Sequence, residues 1–358
     1  MKILVGMSGG VDSSAAALLL KKAGHDVIGA TMSIWDKSQN FAHMTGKEGC
    51  FSPHEEQDVA AAQKVCDKLG IPYHVIDCTE EYKKIVLSNF KSEYLAGRTP
   101  NPCVLCNATI KFAALPSAAK ALGLEFDKFA TGHYAGLGYD ETTKRYQLHC
   151  GKDLRKDQAY FLYRLTQEQL SEILLPLGDY SKQEIRDLAR EAGLEVCDKP
   201  DSQDFYTGDI NDIIQEEPKT GNFVNSDGKI LGQHHGFWNF TIGQRRGLGI
   251  AAEKPLYVIE LRPEQNEVVL GFADQTLQKG LEANRLNWVS IPEPSAPFCC
   301  QAKIRSSQKA VQVRVSPLGN DRVKVEFEDL QKALTPGQSV VFYDGSLLLG
   351  GGFITEAY

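Results

Sequence analysis

The sequence predicts an α/β protein: a doubly wound parallel sheet in an N-terminal domain, a small loop-rich middle domain and a C-terminal antiparallel β-barrel. Three observations predict it. Short apolar runs alternate with amphipathic helical patterns up to about Pro200, the signature of a parallel sheet covered by helices. From Gly221 to Ile250, glycine, asparagine and aromatic residues become dense. From Asn287 onward, short strands alternate with Gly/Pro/Asp-rich turns, as in a small barrel. The expected domains are residues 1–203, 204–286 and 287–358.

Each element follows from its residues. Ile3-Leu4-Val5 reads as a buried strand; the turn Gly6-Met7-Ser8-Gly9-Gly10 follows, and Val11, Ala15, Leu18 and Leu19 recur at helical spacing. Val27–Ile34 is the second strand. Glu55–Leu69 is an amphipathic helix ended by Gly70, with Pro72 beyond. Tyr73–Ile76 is a strand, Glu80–Ala96 a helix, and Asn107–Leu122 a helix kinked or broken at Pro116. Phe129–Ala130 is a short strand leading to Thr131-Gly132-His133-Tyr134. Gln167–Leu174 and Lys182–Ala192 read as helical. Strands are expected at Leu256–Leu261 and Glu267–Leu270, and in the barrel at Ala302–Arg305, Gln312–Val315, Val323–Phe327, Ser339–Phe342 and Leu347–Ile354.

Strand, glycine turn, helix start is the geometry of an anion site. Gly9 and Gly10 let backbone approach a phosphate, and the unpaired N–H groups of the helix start point at it. Ser8, Ser13 and Ser14 add hydroxyls. No Lys precedes the final Ser, as the Walker pattern requires, and G-x-G-x-x-G is absent. Ser8-Gly9-Gly10-Val11-Asp12-Ser13 instead resembles the pyrophosphate loop of ATP pyrophosphatases, which split ATP between its α and β phosphates.

No apolar run approaches the ~20 residues of a membrane span, so a cytoplasmic chain with no membrane partner is expected. The net charge of −7 argues against nonspecific nucleic-acid coating, although a local basic face can still bind RNA. The nine cysteines are an odd, scattered set, unlike a secreted disulfide framework.

Two of them stand in Asn101-Pro102-Cys103-Val104-Leu105-Cys106-Asn107. Asn107 reads as a helix N-cap, which would put Cys106 beside a helix N-terminus and favour its thiolate. Bringing its pKa from about 8.5 to about 7 would take roughly 2 kcal/mol. Cys103 and Cys106 could form a redox disulfide, ligate a metal or cluster, or be inert and buried. No second C-x-x-C exists to complete a zinc site; Cys299 and Cys300 are adjacent.

Over essentially its whole length the chain resembles the tRNA-specific 2-thiouridylase family. The resemblance rests on Gly6–Ser14, Asn101-Pro102 with Cys106-Asn107 and Ile110-Lys111-Phe112, Ala130–Tyr134, Lys156-Asp157-Gln158 with Tyr160-Phe161-Leu162, Asp201–Asp204, Phe240–Ile250, Pro336-Gly337-Gln338 and Gly350-Gly351-Gly352. It implies ATP-dependent 2-thiolation of the wobble uridine: adenylation of the C2 oxygen, then sulfur transfer at Cys106. It further implies ATP binding by Gly6, Met7, Ser8, Gly9, Gly10, Val11, Asp12 and Ser13, with Met32 and Gly132 lining the adenine or ribose pocket. Asp12 is expected to help position Mg²⁺. The implied partners are tRNA, not DNA, and a sulfur donor, either a protein persulfide carrier or sulfide. Asn101, Pro102, His133, Lys156, Asp157, Gln158, Arg305, Ser306 and Gln338 are the implied tRNA contacts.

One departure matters. The family pattern carries a second catalytic cysteine where this chain has Tyr206, and Cys103 stands where the commonest pattern has aspartate. Three expectations follow. Cys103, Cys106 and a third ligand, Cys197 or else Cys50, hold a [4Fe-4S] cluster that delivers sulfide. Alternatively, Cys103 and Cys106 run a persulfide–disulfide cycle. Or thiolation is lost and the chain binds only ATP and tRNA. Rival enzyme classes are an amide ligase or amidotransferase, and another adenylating tRNA-modifying enzyme such as a lysidine synthetase.

Overall fold

A computed structural model describes residues 1–36, 49–200 and 205–358. Asp201–Asp204 lie outside the described residues. The amino-terminal sheet contains β1 (Lys2–Gly6), β2 (Asp26–Ser33), β3 (Tyr73–Asp77) and β4 (Lys128–Ala130). After them come the hairpin β5 (Ala135–Asp140) and β6 (Arg145–Cys150), then β7 (Ile173–Leu174). The sheet order is β3-β2-β1-β4-β7, all parallel. This is a doubly wound order whose direction of winding reverses between β1 and β4, the place where such sheets open a ligand crevice at their carboxyl edge. Alternation along β1 sends Leu4 to one face and Ile3 and Val5 to the other. Each face is a separate apolar core.

Four strands make the middle sheet: β8 (Gly221–Val224), β9 (Ile230–His234), β10 (Tyr257–Arg262) and β11 (Glu267–Gly271), ordered β10-β11-β8-β9. The last six are β12 (Leu277–Trp288), β13 (Phe298–Lys303), β14 (Val311–Gly319), β15 (Arg322–Lys332), β16 (Ser339–Asp344) and β17 (Leu347–Ala357). They run antiparallel in the order β12-β15-β14-β13-β16-β17, and β12 also pairs with β17 to close the barrel. No described helix is long and apolar enough to cross a membrane.

Four expectations about elements are corrected. The barrel begins with β12 at Leu277, ahead of the expected Asn287. The hairpin β5–β6 leaves the amino-terminal sheet and extends the barrel sheet through Leu347↔His149 and Leu348↔Leu148. Gln167–Leu174 is a short helix, Gln167–Ser171, followed by the edge strand β7. Pro116 breaks nothing: a π-helical stretch, Asn107–Ala114, widens the helix just before the α-helical Leu115–Ala121. That wider turn relieves the clash a proline ring makes with the carbonyl four residues back.

Candidate active site

The turn after β1 lies at the carboxyl edge of the sheet, between Gly6 and the helix Val11–Lys22. Met7 and Val11 are buried, so they can offer a ligand only backbone. Ser8 N–H donates to Ser13 Oγ at 3.1 Å, and the Ser13 and Ser14 hydroxyls donate to the Gly10 carbonyl at 3.3 and 2.8 Å. These bonds shape the turn, and no side chain caps the helix start. Gly132 follows β4, the neighbour of β1. A Cβ on it would fall 2.6 Å from Asp12 C and Ser13 N, so only glycine allows this approach to the first helical turn. Met32, half-buried near the end of β2, shares the same edge.

Asp12 does not face an open cation site. Lys182 Nζ meets both its oxygens, at 2.7 and 2.8 Å, and Tyr134 OH donates to Oδ1 at 2.7 Å. A Mg²⁺ ion at Asp12 would have to displace the Lys182 ammonium. Lys199 pairs with Asp58 at 2.6 Å, so two lysine–aspartate pairs occur here, one of them on the turn itself. Glu55 ties down the chain after β2, accepting from Ile34 N–H at 2.7 Å and from Ser33 Oγ at 2.6 Å. None of these partners stands out in sequence, because each pairs residues far apart in the chain.

The expected setting of Cys106 is overturned. Asn101, not Asn107, caps the helix: its Oδ1 accepts from Val104 N–H at 3.4 Å, and Pro102 follows in the first turn. Cys106 and Asn107 both have helical backbone, so Cys106 lies inside the helix. Cys103 is the cysteine in the first turn. Burial pushes the Cys106 thiol up to about 11, against a lowering by Lys111. At neutral pH only on the order of 10⁻⁴ of it is thiolate.

Cys197 is also corrected as a third ligand. It packs on the core beside Ile3 and Val5, whereas Cys106 packs on the core beside Leu4, across the sheet. Cys50 is the nearer thiol, close enough to raise Cys106. It precedes Phe51, whose N–H donates to Phe205 O at 3.0 Å and whose ring lies 6.1 Å from Tyr206. Tyr206 donates its hydroxyl to Asp212 at 2.6 Å. Among the described residues no three His, Cys, Asp or Glu side chains gather as a metal site. The thiols as arranged do not fit a cluster.

His133 is buried, and its Nδ1 pairs with Thr131 Oγ1 at 2.7 Å. Burial, then Lys111, hold its pKa well below the ordinary histidine range, so the ring is neutral. Phe112 lies 5.6 Å from that ring. Lys156 is half-buried beside Asp157. Asp157 is corrected as an RNA contact: its side chain is 2% exposed, pairs with Lys303 at 3.4 Å and accepts from Gly151 N–H at 3.0 Å. Gln158 is used structurally too, its Oε1 accepting from Tyr134 N–H at 2.9 Å. Arg305 donates to Ala333 O and Thr335 Oγ1, at 3.1 and 3.3 Å, and Ser306 beside it is exposed. Gln338 bonds to the backbone just before Asn101 and Pro102.

Family models match three consecutive segments: a tRNA methyl transferase HUP domain over residues 1–206, a tRNA methyl transferase PRC-barrel domain over 210–272 and an aminomethyltransferase β-barrel domain over 278–354. A tRNA-specific 2-thiouridylase of Endomicrobium trichonymphae is 50% identical over 356 residues, covering 99% of each chain. The chain belongs to the tRNA-specific 2-thiouridylase family. Members from Carboxydothermus hydrogenoformans and Acetivibrio thermocellus are 48% and 46% identical, each over 99% of this chain and 98% and 99% of their own. The HUP model of the 2-thiouridylase family spans the glycine turn, Cys103, Cys106 and Gly132, and its barrel model spans Arg305 and Gln338.

Proposed function

We propose that this chain 2-thiolates the wobble uridine of tRNA, using ATP to activate the C2 oxygen and Cys106 to deliver sulfur. One relationship carries the reading. Lys111 acts on both Cys106 and His133, and His133 follows Gly132, which rests on the glycine turn. A line of adjacent groups thus runs from the phosphate cradle to the thiol. A uridine splayed out of a single-stranded anticodon loop can reach both ends.

The chemistry follows in order. Backbone N–H groups of the turn hold the phosphates, and Lys182 and Lys199 exchange their carboxylates for phosphate oxygens. The uridine C2 oxygen attacks the α-phosphorus and pyrophosphate leaves. A persulfide on Cys106, loaded by a sulfane-sulfur donor, attacks C2 with its terminal sulfur, and AMP leaves. Cys103 thiolate then attacks Cys106 Sγ. The S–S bond to the new sulfur breaks, its electrons stay on the thiouridine, and a Cys103–Cys106 disulfide remains for an external thiol to reduce. Residues three apart on a helix share a face, which suits this exchange. Neutral His133 can hydrogen-bond the uracil without adding charge. Mg²⁺, if held by Asp12, would neutralise the pyrophosphate.

Cys50 is the second reading for the resolving thiol, favoured by its effect on Cys106. Nucleosides from a strain lacking this chain, analysed by mass spectrometry, test the proposal: 2-thiouridine should vanish and return with the wild-type gene. Restoration by Cys103→Ser but not by Cys50→Ser would transfer the resolving role to Cys50. Undiminished 2-thiouridine in the deletion strain would favour the binding-only reading or another adenylating enzyme.

A further inference from the structure

We infer that Gln338 is a positioning residue for sulfur transfer: through it the barrel sets the geometry of the stretch that carries Cys103 and Cys106. The inference deepens the proposed function and rests on that reading for its kinetic part.

Gln338 Nε2 donates to Thr99 O at 2.9 Å and to Pro100 O at 3.0 Å. Thr99 N–H donates back to Pro336 O at 2.8 Å. Between them Gly337 has φ +89, and a Cβ there would stand 2.9 Å from Thr99 N and O. The barrel turn and the segment before Asn101 are therefore in backbone contact. The turn is itself fixed: Gly337 N–H donates to Ile354 O and Ile354 N–H to Gln338 O, both at 2.8 Å. At the next residue, Ser339 O accepts from Tyr160 OH at 2.9 Å, and the Tyr160 hydroxyl also bonds Asn101.

The stretch transmits what is imposed on it. Pro100 and Pro102 fix their own φ and restrict Thr99 and Asn101 to extended conformations. Asn101 then caps the helix of Cys103 and Cys106. Rotating the Thr99 and Pro100 carbonyls would move the cap, and the cap sets where both sulfurs point. From the other side Arg98 forks onto buried Glu93 at 2.6 and 2.9 Å, and Arg285 of β12 lies 3.9 Å from the same carboxylate. The barrel holds the thiol segment at two points. A residue spent in this way acts on RNA through the loop rather than by touching it.

Gln338→Glu and Gln338→Ala are the test; Glu keeps the size but loses the donor. Three readouts separate the outcomes: tRNA Kd by filter binding, kcat at saturating tRNA, and hydrogen exchange of the peptide 98–110 with 311–327 as a folding control. Both variants should leave Kd within about twofold, lower kcat at least tenfold, and speed exchange in 98–110 at least tenfold while 311–327 stays protected. A tenfold rise in Kd with kcat unchanged would make Gln338 a direct RNA contact and overturn the inference. Unchanged exchange in 98–110 would overturn it whatever the kinetics. If the wild-type chain makes no 2-thiouridine, the exchange readout still decides the positioning claim separately from the proposed function.

Discussion

Lys182, buried at the start of the helix Lys182–Glu191, brackets both carboxylate oxygens of Asp12 across 170 positions of sequence. This pair fixes the first turn of the phosphate-binding helix to the far side of the domain. Breaking a buried ion pair costs about 3–5 kcal/mol, less where one partner is wetted, and Asp12 is partly exposed. Lys182→Met should lower stability by about 1–3 kcal/mol in denaturant unfolding and raise the KM for ATP at least tenfold. An unchanged KM would remove Lys182 from the phosphate site.

Gly132→Ala tests the contact between β4 and the turn. The new methyl would fall 2.6 Å from Asp12 C and Ser13 N, too close for either backbone to stay in place. ATP affinity by calorimetry should drop at least a hundredfold while the barrel remains folded. Retained affinity would mean that the crevice lies elsewhere.

The resting Cys106 thiol should behave as a weak nucleophile. With its pKa near 11, alkylation by iodoacetamide, followed by peptide mass spectrometry, should quicken about tenfold per pH unit from 7 to 10. Lys111→Met removes the neighbouring charge that favours the thiolate, so alkylation should slow at every pH in this range. A plateau near pH 7 would restore the helix N-terminus reading of Cys106.

Burial depresses the pKa values of His133, His149 and His234. Unfolding returns them to about 6.5. Below that pH the unfolded chain binds protons that the folded chain refuses, so stability falls as pH falls. For His133 the slope is at most about 1.4 kcal/mol per pH unit, until its folded pKa is reached. Urea midpoints should drop between pH 7 and pH 5, and His133→Gln should flatten that drop. An equal slope in the variant would mean that His133 is charged in the folded chain.

Local signals in the sequence carried the glycine turn, the β/α alternation and several barrel strands, because propensity and pattern agree there. β12 escaped because bulges at Gln278/Gly280 and Asn284/Asn287, and the positive φ of Arg285, break its alternation. Lys182 escaped because Ser181 and Glu184 form a capping box around it, which reads simply as a helix start. Asn107 misled because an asparagine after a turn-like Pro-x-x-x-Cys stretch is also an N-cap signal; the helix had already begun at Pro102. Asp157 and Gln338 carry family motifs, yet their side chains are engaged with partners 146 and about 239 positions away, and no window along the chain shows that.

Nucleoside mass spectrometry on a defined reaction tests the central claim most directly. Purified chain, ATP, a persulfide donor, a thiol reductant and unmodified tRNA should yield 2-thiouridine at the wobble position with one AMP per sulfur, and Cys106→Ser should yield none. No ATP-dependent 2-thiouridine from the wild-type chain, or full yield from Cys106→Ser, would contradict the account.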